Sequence, residues 1–557
     1  MSARRRGRGW LAALLIAGAA LVRPLAAQEL RGTVRDSTSQ QPIPGAVLIL
    51  LDSTGASVGR GITNDRGQFR VATGPTARQV KVQRIGFRPR LVAVPGNPAA
   101  GIDITMIPLP SLLEPIQVSD VTKCSRRSDR AAALALWEQV RTGLLATVVA
   151  REANPASMRR LLYDRLLDRS GKVQSQSVRL DSAQTDRAFG AALSVAEFLR
   201  MGFKSDSGGM DVFYGPDADI LLSDGFAAGY CFRIADRDRA RPGQIGLAFG
   251  PAERSRDRTD IEGTLWVDSI GRRIVDIDYA YLGLDARVMA LHPGGRTSFR
   301  TMANGMVVLD RWSIRLVGAG ADSTTQIRNR ATERVPVLQL REVGGEIARV
   351  EWPDGTQWTA PFGTLRGRAT RDGVPATDMV IHLMETDYAA TTDSAGAFEM
   401  RELLPGPYEA GVEHELLARV GLLMPTGVRF VAARDSTETA TVPVPSLNEY
   451  TWTACGNDPK RRTARSIVRM LIVRVLGRDG RPAVEAKADV RVLRGGATVA
   501  HSDVETGSSG LAQVCGIPEP ATDVAVFVER EGMAPLEFGA RITGILTTIS
   551  IALPVPR

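Results

Sequence analysis

Over most of this chain hydrophobic and polar positions alternate in short runs, cut by Gly, Pro and Asp turns. Between residues 29 and 108 the runs include Val47-Leu48-Ile49-Leu50-Leu51 and Val80-Lys81-Val82. A period of two over four to eight residues predicts strands, and turns at this spacing predict an antiparallel sandwich of about seven strands. Phe69 and Val71 share one strand face and read as core. The aromatic in Arg84-Ile85-Gly86-Phe87-Arg88-Pro89 reads as packing rather than a ligand platform.

The same pattern recurs. Gly32-Thr33-Val34-Arg35-Asp36, Pro44-Gly45-Ala46-Val47 and Thr63-Asn64-Asp65-Arg66-Gly67-Gln68-Phe69 form the first copy. The second has Arg366-Gly367-Arg368-Ala369-Thr370-Arg371-Asp372-Gly373, Pro375-Ala376, Val380 to Leu383 and Thr392-Asp393-Ser394-Ala395-Gly396-Ala397-Phe398. A looser third has Val473 to Gly480, Pro482-Ala483, and Thr506 with Gly510 and Leu511. Each copy is strand, turn, strand, polar turn, strand, which predicts three similar sandwiches.

The period changes between residues 129 and 149, where Ala131 to Val140 is alanine-rich and Asp129 stands near a helix start. Residues 158–169 fit either a second helix or a strand. Alternation returns from 171 to 350, and Gly263 to Ser269 followed by Arg273 to Tyr281 predicts a hairpin turning at Asp268 to Gly271. The expected class is mainly β, with tandem transthyretin-like or immunoglobulin-like sandwiches flanking a middle β-rich α+β domain. The expected divisions are 1–27, 28–118, 119–170 (partly helical), 171–350 (middle domain), 363–443, 444–466 (linker) and 467–557.

Residues 1–27 place Arg4, Arg5, Arg6 and Arg8 before an apolar run from Trp10 to Val22 and a small-residue site at Leu25-Ala26-Ala27. This reads as a secretory signal peptide cleaved after Ala27, and the run is shorter than the roughly 20 residues a membrane span needs. The formal net charge of +9 includes five arginines in this segment, so the remainder carries about +4. That argues against nucleic acid as a partner, and the arginines from Arg31 to Arg90 read as solvated strand faces.

Export makes disulfides expected for the four cysteines. The pairing Cys124–Cys231 and Cys455–Cys515 keeps each bridge inside one module. Neither the cysteine spacing nor the scattered His292, His382, His414 and His501 matches a metal motif, so no metal or other cofactor is expected.

The motifs Gly32-Thr33-Val34, Pro44-Gly45-Ala46-Val47, Thr63 to Phe69 and Ile85-Gly86-Phe87 resemble the carboxypeptidase regulatory-like domain, a small transthyretin-like sandwich. The resemblance covers residues 29 to 118, with echoes at 363–443 and 467–554. It implies a non-catalytic companion module. In bacteria the family often precedes outer-membrane receptors, where its end is similar to Leu112-Leu113-Glu114-Pro115-Ile116-Gln117-Val118, but no barrel-like run of strands follows Val118. The hairpin at 263–281 is weakly similar to periplasmic proteins whose curved sheet cups lipid or lipoprotein.

Candidate chemistry is sparse. Glu262, Asp268, Asp276 and Asp278 cluster near the hairpin, and a carboxylate pair could hydrolyse glycosides if one member stayed protonated. With Arg272 and Arg273 beside them they read as a charged outer face. Gly507-Ser508-Ser509-Gly510 lacks the strand-to-helix setting of a nucleophilic serine. Asn64, Asp65 and Asp393 could offer oxygen to Ca²⁺, but turn capping is the plainer use and the ligands are too few. No catalytic, cofactor-binding or metal-binding residue is therefore assigned. The function expected is a non-enzymatic cell-envelope binding or structural protein, located in the periplasm, at the outer-membrane periphery or outside the cell. An envelope protein or glycan is its expected partner. Alternatives are a carrier of an apolar ligand in the middle domain, or a glycan or peptide hydrolase there.

Overall fold

The computed structural model describes residues 28–110, 130–153, 155–168, 170–184, 193–207, 210–254, 258–302, 307–319, 323–327, 331–335, 338–463, 466–477, 479–519, 523–529, 536–542 and 544–553. The expected signal segment, Asp129 and Cys124 lie outside them. The chain divides into two compact units. One comprises 1–157, 184–314 and 351–358; the other comprises 158–183, 315–350 and 359–557. Residues expected as one middle domain, 171–350, are thus shared between the two.

Three sandwiches of one topology account for most of the strands. In the first, Gln28–Asp36 lies between Gln68–Thr73 and Ile102–Met106; the facing sheet runs Ser57–Ile62, Val47–Leu51, Gln79–Gln83, Arg90–Ala93. In the second, Gly363–Arg371 lies between Ala397–Leu403 and Thr437–Pro443, facing Ala389–Thr391, Val380–Leu383, Gly406–Val412 and Met424–Ala432. In the third, Met470–Leu476 lies between Leu511–Cys515 and Leu546–Ala552, facing Ala497–Glu505, Lys487–Arg494, Asp523–Glu529 and Leu536–Arg541. In each, the opening strand pairs parallel with the closing one and antiparallel with the strand after the polar turn.

Alternation builds these cores as expected. Gln68–Thr73 buries every second residue, so Phe69 and Val71 join Leu30, Val34, Leu48, Leu50, Val80 and Val82 inside the first sandwich. The third is filled by smaller side chains, including Val473, Val475, Ala488, Val490, Ala512, Val524 and Val526.

In the first unit the alanine-rich segment forms a helix, Arg130–Ala153. Ala133, Leu136, Trp137, Val140, Leu144, Ala146, Val148 and Val149 are all buried, because the helix is wedged between two sheets and small residues let both approach. Ala146 and Val149 meet Val47 on the outer face of the first sandwich. On the other side, Trp137 stacks on Phe232 with centroids 4.2 Å apart. Phe232 belongs to the first of five consecutive antiparallel strands, Tyr230–Ile234, Gln244–Pro251, Asp260–Asp268, Arg273–Leu282 and Gly294–Thr301.

The predicted hairpin is present, with Leu265 opposite Ile277 and Trp266 opposite Asp276. Ile85-Gly86-Phe87 joins these layers. Gly86 N–H donates to Gln139 Oε1 at 2.8 Å, and the Arg272 guanidinium lies 4.9 Å over the Phe87 ring.

In the second unit the ambiguous stretch after the helix is a strand, Ser157–Leu167, flanked by Val173–Gln184 and Leu338–Glu351. Val178 N–H donates to Glu385 O, and Asp387 N–H donates to Val178 O, which docks these strands on the second sandwich. The Arg159 and Arg349 guanidiniums both reach the buried Glu402 carboxylate. Leu417, Val420 and Met424 of the second sandwich share one apolar cluster with Met470, Ile472 and Leu546 of the third. Among the described residues no helix is long and apolar enough to cross a membrane.

Candidate functional site

The polar turn repeated in all three sandwiches is built from inward-facing bonds. Asn64 Oδ1 accepts from Arg66 N–H at 3.0 Å and Gln68 N–H at 2.9 Å. Asp393 Oδ1 accepts from Ala395 and Ala397 N–H, both at 2.8 Å. Each of these oxygens is occupied by two backbone donors, which is turn capping. Asp65 is exposed. In the third copy Gly507 holds the equivalent place, and the backbone bonds of the turn persist without a side-chain cap, Gly510 N–H donating to Gly507 O at 2.9 Å.

The residue before this turn is a buried threonine in every copy. Thr63 Oγ1 donates to Ile43 O and accepts from Ala46 N–H. Thr392 does the same with Ala376 O and Met379 N–H, and Thr506 with Ala483 O and Ala486 N–H. The glycine closing the turn has φ of +69°, +71° and +70° at Gly67, Gly396 and Gly510. A Cβ there would lie 2.6 Å from the carbonyl oxygens of Val34, Ala369 and Val475 respectively. Only glycine suits that position.

The middle-hairpin carboxylates are held by arginines. Arg241 Nη1 donates to Asp276 Oδ2 at 2.8 Å and Arg241 Nη2 donates to Asp278 Oδ2 at 2.7 Å. Arg296 Nε donates to Asp278 Oδ1 at 2.5 Å, Ser298 Oγ to Asp276 Oδ1 at 2.6 Å, and Trp266 Nε1 to Asp278 Oδ2 at 3.0 Å. Arg241 also lies 4.8 Å over the Trp266 ring. The two carboxylates share one guanidinium and have their remaining oxygens taken up by Arg296, Ser298 and Trp266, which is the arrangement of a structural ion-pair network. Glu262 pairs with the exposed Arg254, and Asp268 caps the hairpin by accepting from Ile270 and Gly271 N–H.

Sequence proximity suggested Arg272 and Arg273 as the counter-charges. Arg241 and Arg296, from neighbouring strands and loops, hold Asp276 and Asp278, while Arg273 pairs with Asp268 and Arg272 packs on Phe87. The apolar side of this region is occupied by an aromatic cluster in which Phe226 stacks on Tyr230 at 4.1 Å and approaches Phe249 at 5.8 Å.

The histidines have separate roles. His382 pairs with Glu413, and His414 Nδ1 accepts from Leu416 N–H at a helix start. Burial and the Arg371 charge push His414 below its ordinary range. His501 Nε2 lies 2.8 Å from Asp489 and 3.5 Å from Asp503, a grouping the sequence spacing hid because it forms across two strands. It sits on an exposed sheet face where Arg491 also engages Asp489.

Cys455 is bonded to Cys515 with Cα atoms 5.8 Å apart. The bridge fastens the end of the helix Leu447–Ala454 to the strand Leu511–Cys515. Gln513 Nε2 donates to Ala454 O beside it. Cys231 is also disulfide-bonded, and its expected partner Cys124 lies outside the described residues.

One cleft in the first unit gathers residues that sequence reading missed. It encloses about 440 Å³ between the outer face of the first sandwich, the helix Arg130–Ala153 and the short helices after residue 193. Arg60, Ile49 and Lys81 stand directly opposite one another on three adjacent strands. Glu138, Arg141, Thr142 and Leu145 face them from the helix. The available signal was a single cation in each of two strands together with a helical i, i+3, i+4, i+7 set. Asp217 caps the helix Ala218–Leu222, which lends Asp219 and Leu222 to the lining, and burial pushes the Asp217 carboxyl up to about 6.

The described residues therefore define a mainly β protein of tandem sandwiches whose repeated polar motifs serve the fold. Residues 29–107 match the carboxypeptidase regulatory-like domain. No curated protein matches the chain. Solved structures similar to it include a Streptococcal ancillary pilin, at 8% identity and a TM-score of 0.14, covering 34% of this chain and 68% of that one. A minor pilin of Streptococcus agalactiae gives 13% and 0.13, covering 35% of this chain and 98% of its own. A DUF3823 family protein from Parabacteroides merdae gives 11% and 0.13, covering 33% and 100%. Similarities at such TM-scores carry no argument, and the triplicate topology stands on its own strand pairings.

Proposed function

We propose that this chain is an exported, non-enzymatic protein of the bacterial cell envelope. In this reading its sandwich modules act as rigid spacing and binding units for an envelope protein or glycan. The observation that carries the reading is the triplicated sandwich, whose recurring Asn64, Asp393, Thr63, Thr392 and Thr506 spend their polar atoms on their own backbone. Modules of this kind present loops and sheet edges for recognition while the framework stays constant. The Cys455–Cys515 bridge supports an oxidising destination. The arginine-held Asp276 and Asp278 favour a binding or structural role over hydrolysis.

Fractionation of cells producing the full chain, with non-reducing peptide mapping and in-cell cross-linking of the envelope fraction, tests the reading. Envelope location, an intact Cys455–Cys515 peptide and a cross-linked envelope component are expected. Cytosolic material with both thiols free would overturn export. Glycan or peptide hydrolysis abolished by Asp278→Asn would overturn the non-enzymatic part.

A further inference from the structure

We infer that the cleft between the first sandwich and the helix Arg130–Ala153 binds a small amphiphilic anion, its acidic head on Arg60 and Lys81 and its apolar body along Leu145, Val148 and Leu222. The inference stands apart from the proposed envelope role, since it rests on this cleft alone. The outer sheet face here carries an apolar strip beside Gln83: Val47 is buried under Ala146 and Val149, with Ile49, Ile62 and Leu145 packed beside them. Arg60 and Lys81 interrupt that face where the helix leaves it open. They flank Ile49 from the strands on either side, roughly 10 Å apart at two strand spacings. Among the described residues neither has an acidic partner.

The acids in the lining each lie beside another arginine, one of them Arg141 of the same cleft. Glu138 lies 3.6 Å from Arg141 on its own helix, and Asp219 lies 3.3 Å from Arg151. Two cations without an acidic partner at the edge of the strip formed by Ile49, Leu145 and Val148 leave positive potential there, which favours an anion whose body also covers the strip. The volume of about 440 Å³ falls within the range of small-molecule sites, and three strands and three helices form its walls. A carboxylate or a phosphate monoester would satisfy the same two cations, so the head-group chemistry they share is what the site specifies.

Calorimetric titration of the purified full chain with decanoate, decyl phosphate, decanol and inorganic phosphate tests this. At least one alkyl anion should bind with Kd at or below about 100 μM, and decanol and inorganic phosphate at least about tenfold more weakly. The double variant Arg60→Gln/Lys81→Gln should weaken the alkyl anion about tenfold or more and leave decanol unchanged. Tighter decanoate would assign a fatty-acid head, tighter decyl phosphate a phosphate head, and equal affinities the shared anionic chemistry. Absence of alkyl-anion binding, decanol binding as tightly as the anions, inorganic phosphate matching decyl phosphate, or unchanged affinity in a double variant with unaltered thermal unfolding would each overturn it.

Discussion

The second and third sandwiches share their strand order apart from the short Val374–Pro375 strand of the second, but fill one core position in opposite ways. In the second, Gly367 stands opposite Phe398, and a Cβ on the glycine would lie 2.1 Å from the phenyl ring. In the third, Val473 stands opposite Ala512. The large side chain has moved across the strand pair while the combined filling of the site stays similar. The first sandwich repeats the second, with Gly32 opposite Phe69, yet differs in one respect. A Cβ on Gly32 would also lie 1.9 Å from the backbone oxygen of Ile102. The topology is thus kept by packing volume and turn geometry, and residue identity follows only where backbone leaves no room.

The strongest way to break this comparison is to convert the second copy into the third. Phe398→Ala should cost about 3–5 kcal/mol by leaving a cavity. Gly367→Val alone should also destabilise, by overpacking against the ring. Combined, they should recover at least about 2 kcal/mol relative to the sum. The same pair in the first copy, Gly32→Val with Phe69→Ala, should show no recovery, because the Ile102 carbonyl does not move with the ring. Urea unfolding of the full chain, with hydrogen exchange to localise the loss, measures both cycles; equal recovery in the two copies would contradict the packing account.

The third copy alone has a cysteine bridge tied to its strands, since residues 29–108 and 363–443 contain no cysteine. Its small-residue core suggests that it relies on that bridge. Replacing Cys455 and Cys515 with alanine should cost about 2–4 kcal/mol for a closure spanning 60 residues. Hydrogen exchange should show the loss in residues 470–552 and leave the first sandwich unchanged. Thr506→Val should cost about 1–3 kcal/mol by stranding the buried Ala486 N–H, and Thr63→Val and Thr392→Val should cost similar amounts. A much smaller loss in the third copy would show that its turn is held differently. The smallest effect expected is a gain. Gly507→Asp would restore the side-chain cap found in the other copies, where a Cβ meets nothing within 4 Å, and should stabilise by about 0.5 kcal/mol in the same assay.

These correspondences explain what could be read beforehand. Thr63, Thr392 and Thr506 with Gly67, Gly396 and Gly510 are dictated by local turn chemistry, so all three modules were legible from short motifs. The third was the faintest because Val473 and Ala512 replace the Gly and Phe that mark the others. Partners set by tertiary packing were not legible. Asp276 and Asp278 meet Arg241 and Arg296 rather than adjacent Arg272 and Arg273, since strand neighbours lie tens of residues away in sequence. His501 and Asp489 meet across a strand pair for the same reason. Arg60 and Lys81 read as ordinary solvated strand charges until the helix Arg130–Ala153 is placed over them. Residues 158–169 carried too short an apolar run to distinguish helix from strand, and pairing with 173–184 and 338–351 decided the matter.

The parallel pairing of opening and closing strands has a mechanical consequence. Because the two strands run the same way side by side, tension between the start of one and the end of the other pulls them past each other lengthwise. The cross-strand bonds then share the load, instead of parting one after another as in a peeled hairpin. The second and third modules register seven paired positions along this seam, and the first registers five. Stretched end to end, the first module should yield at the lowest force, and the other two should behave as the stiffer links of the chain.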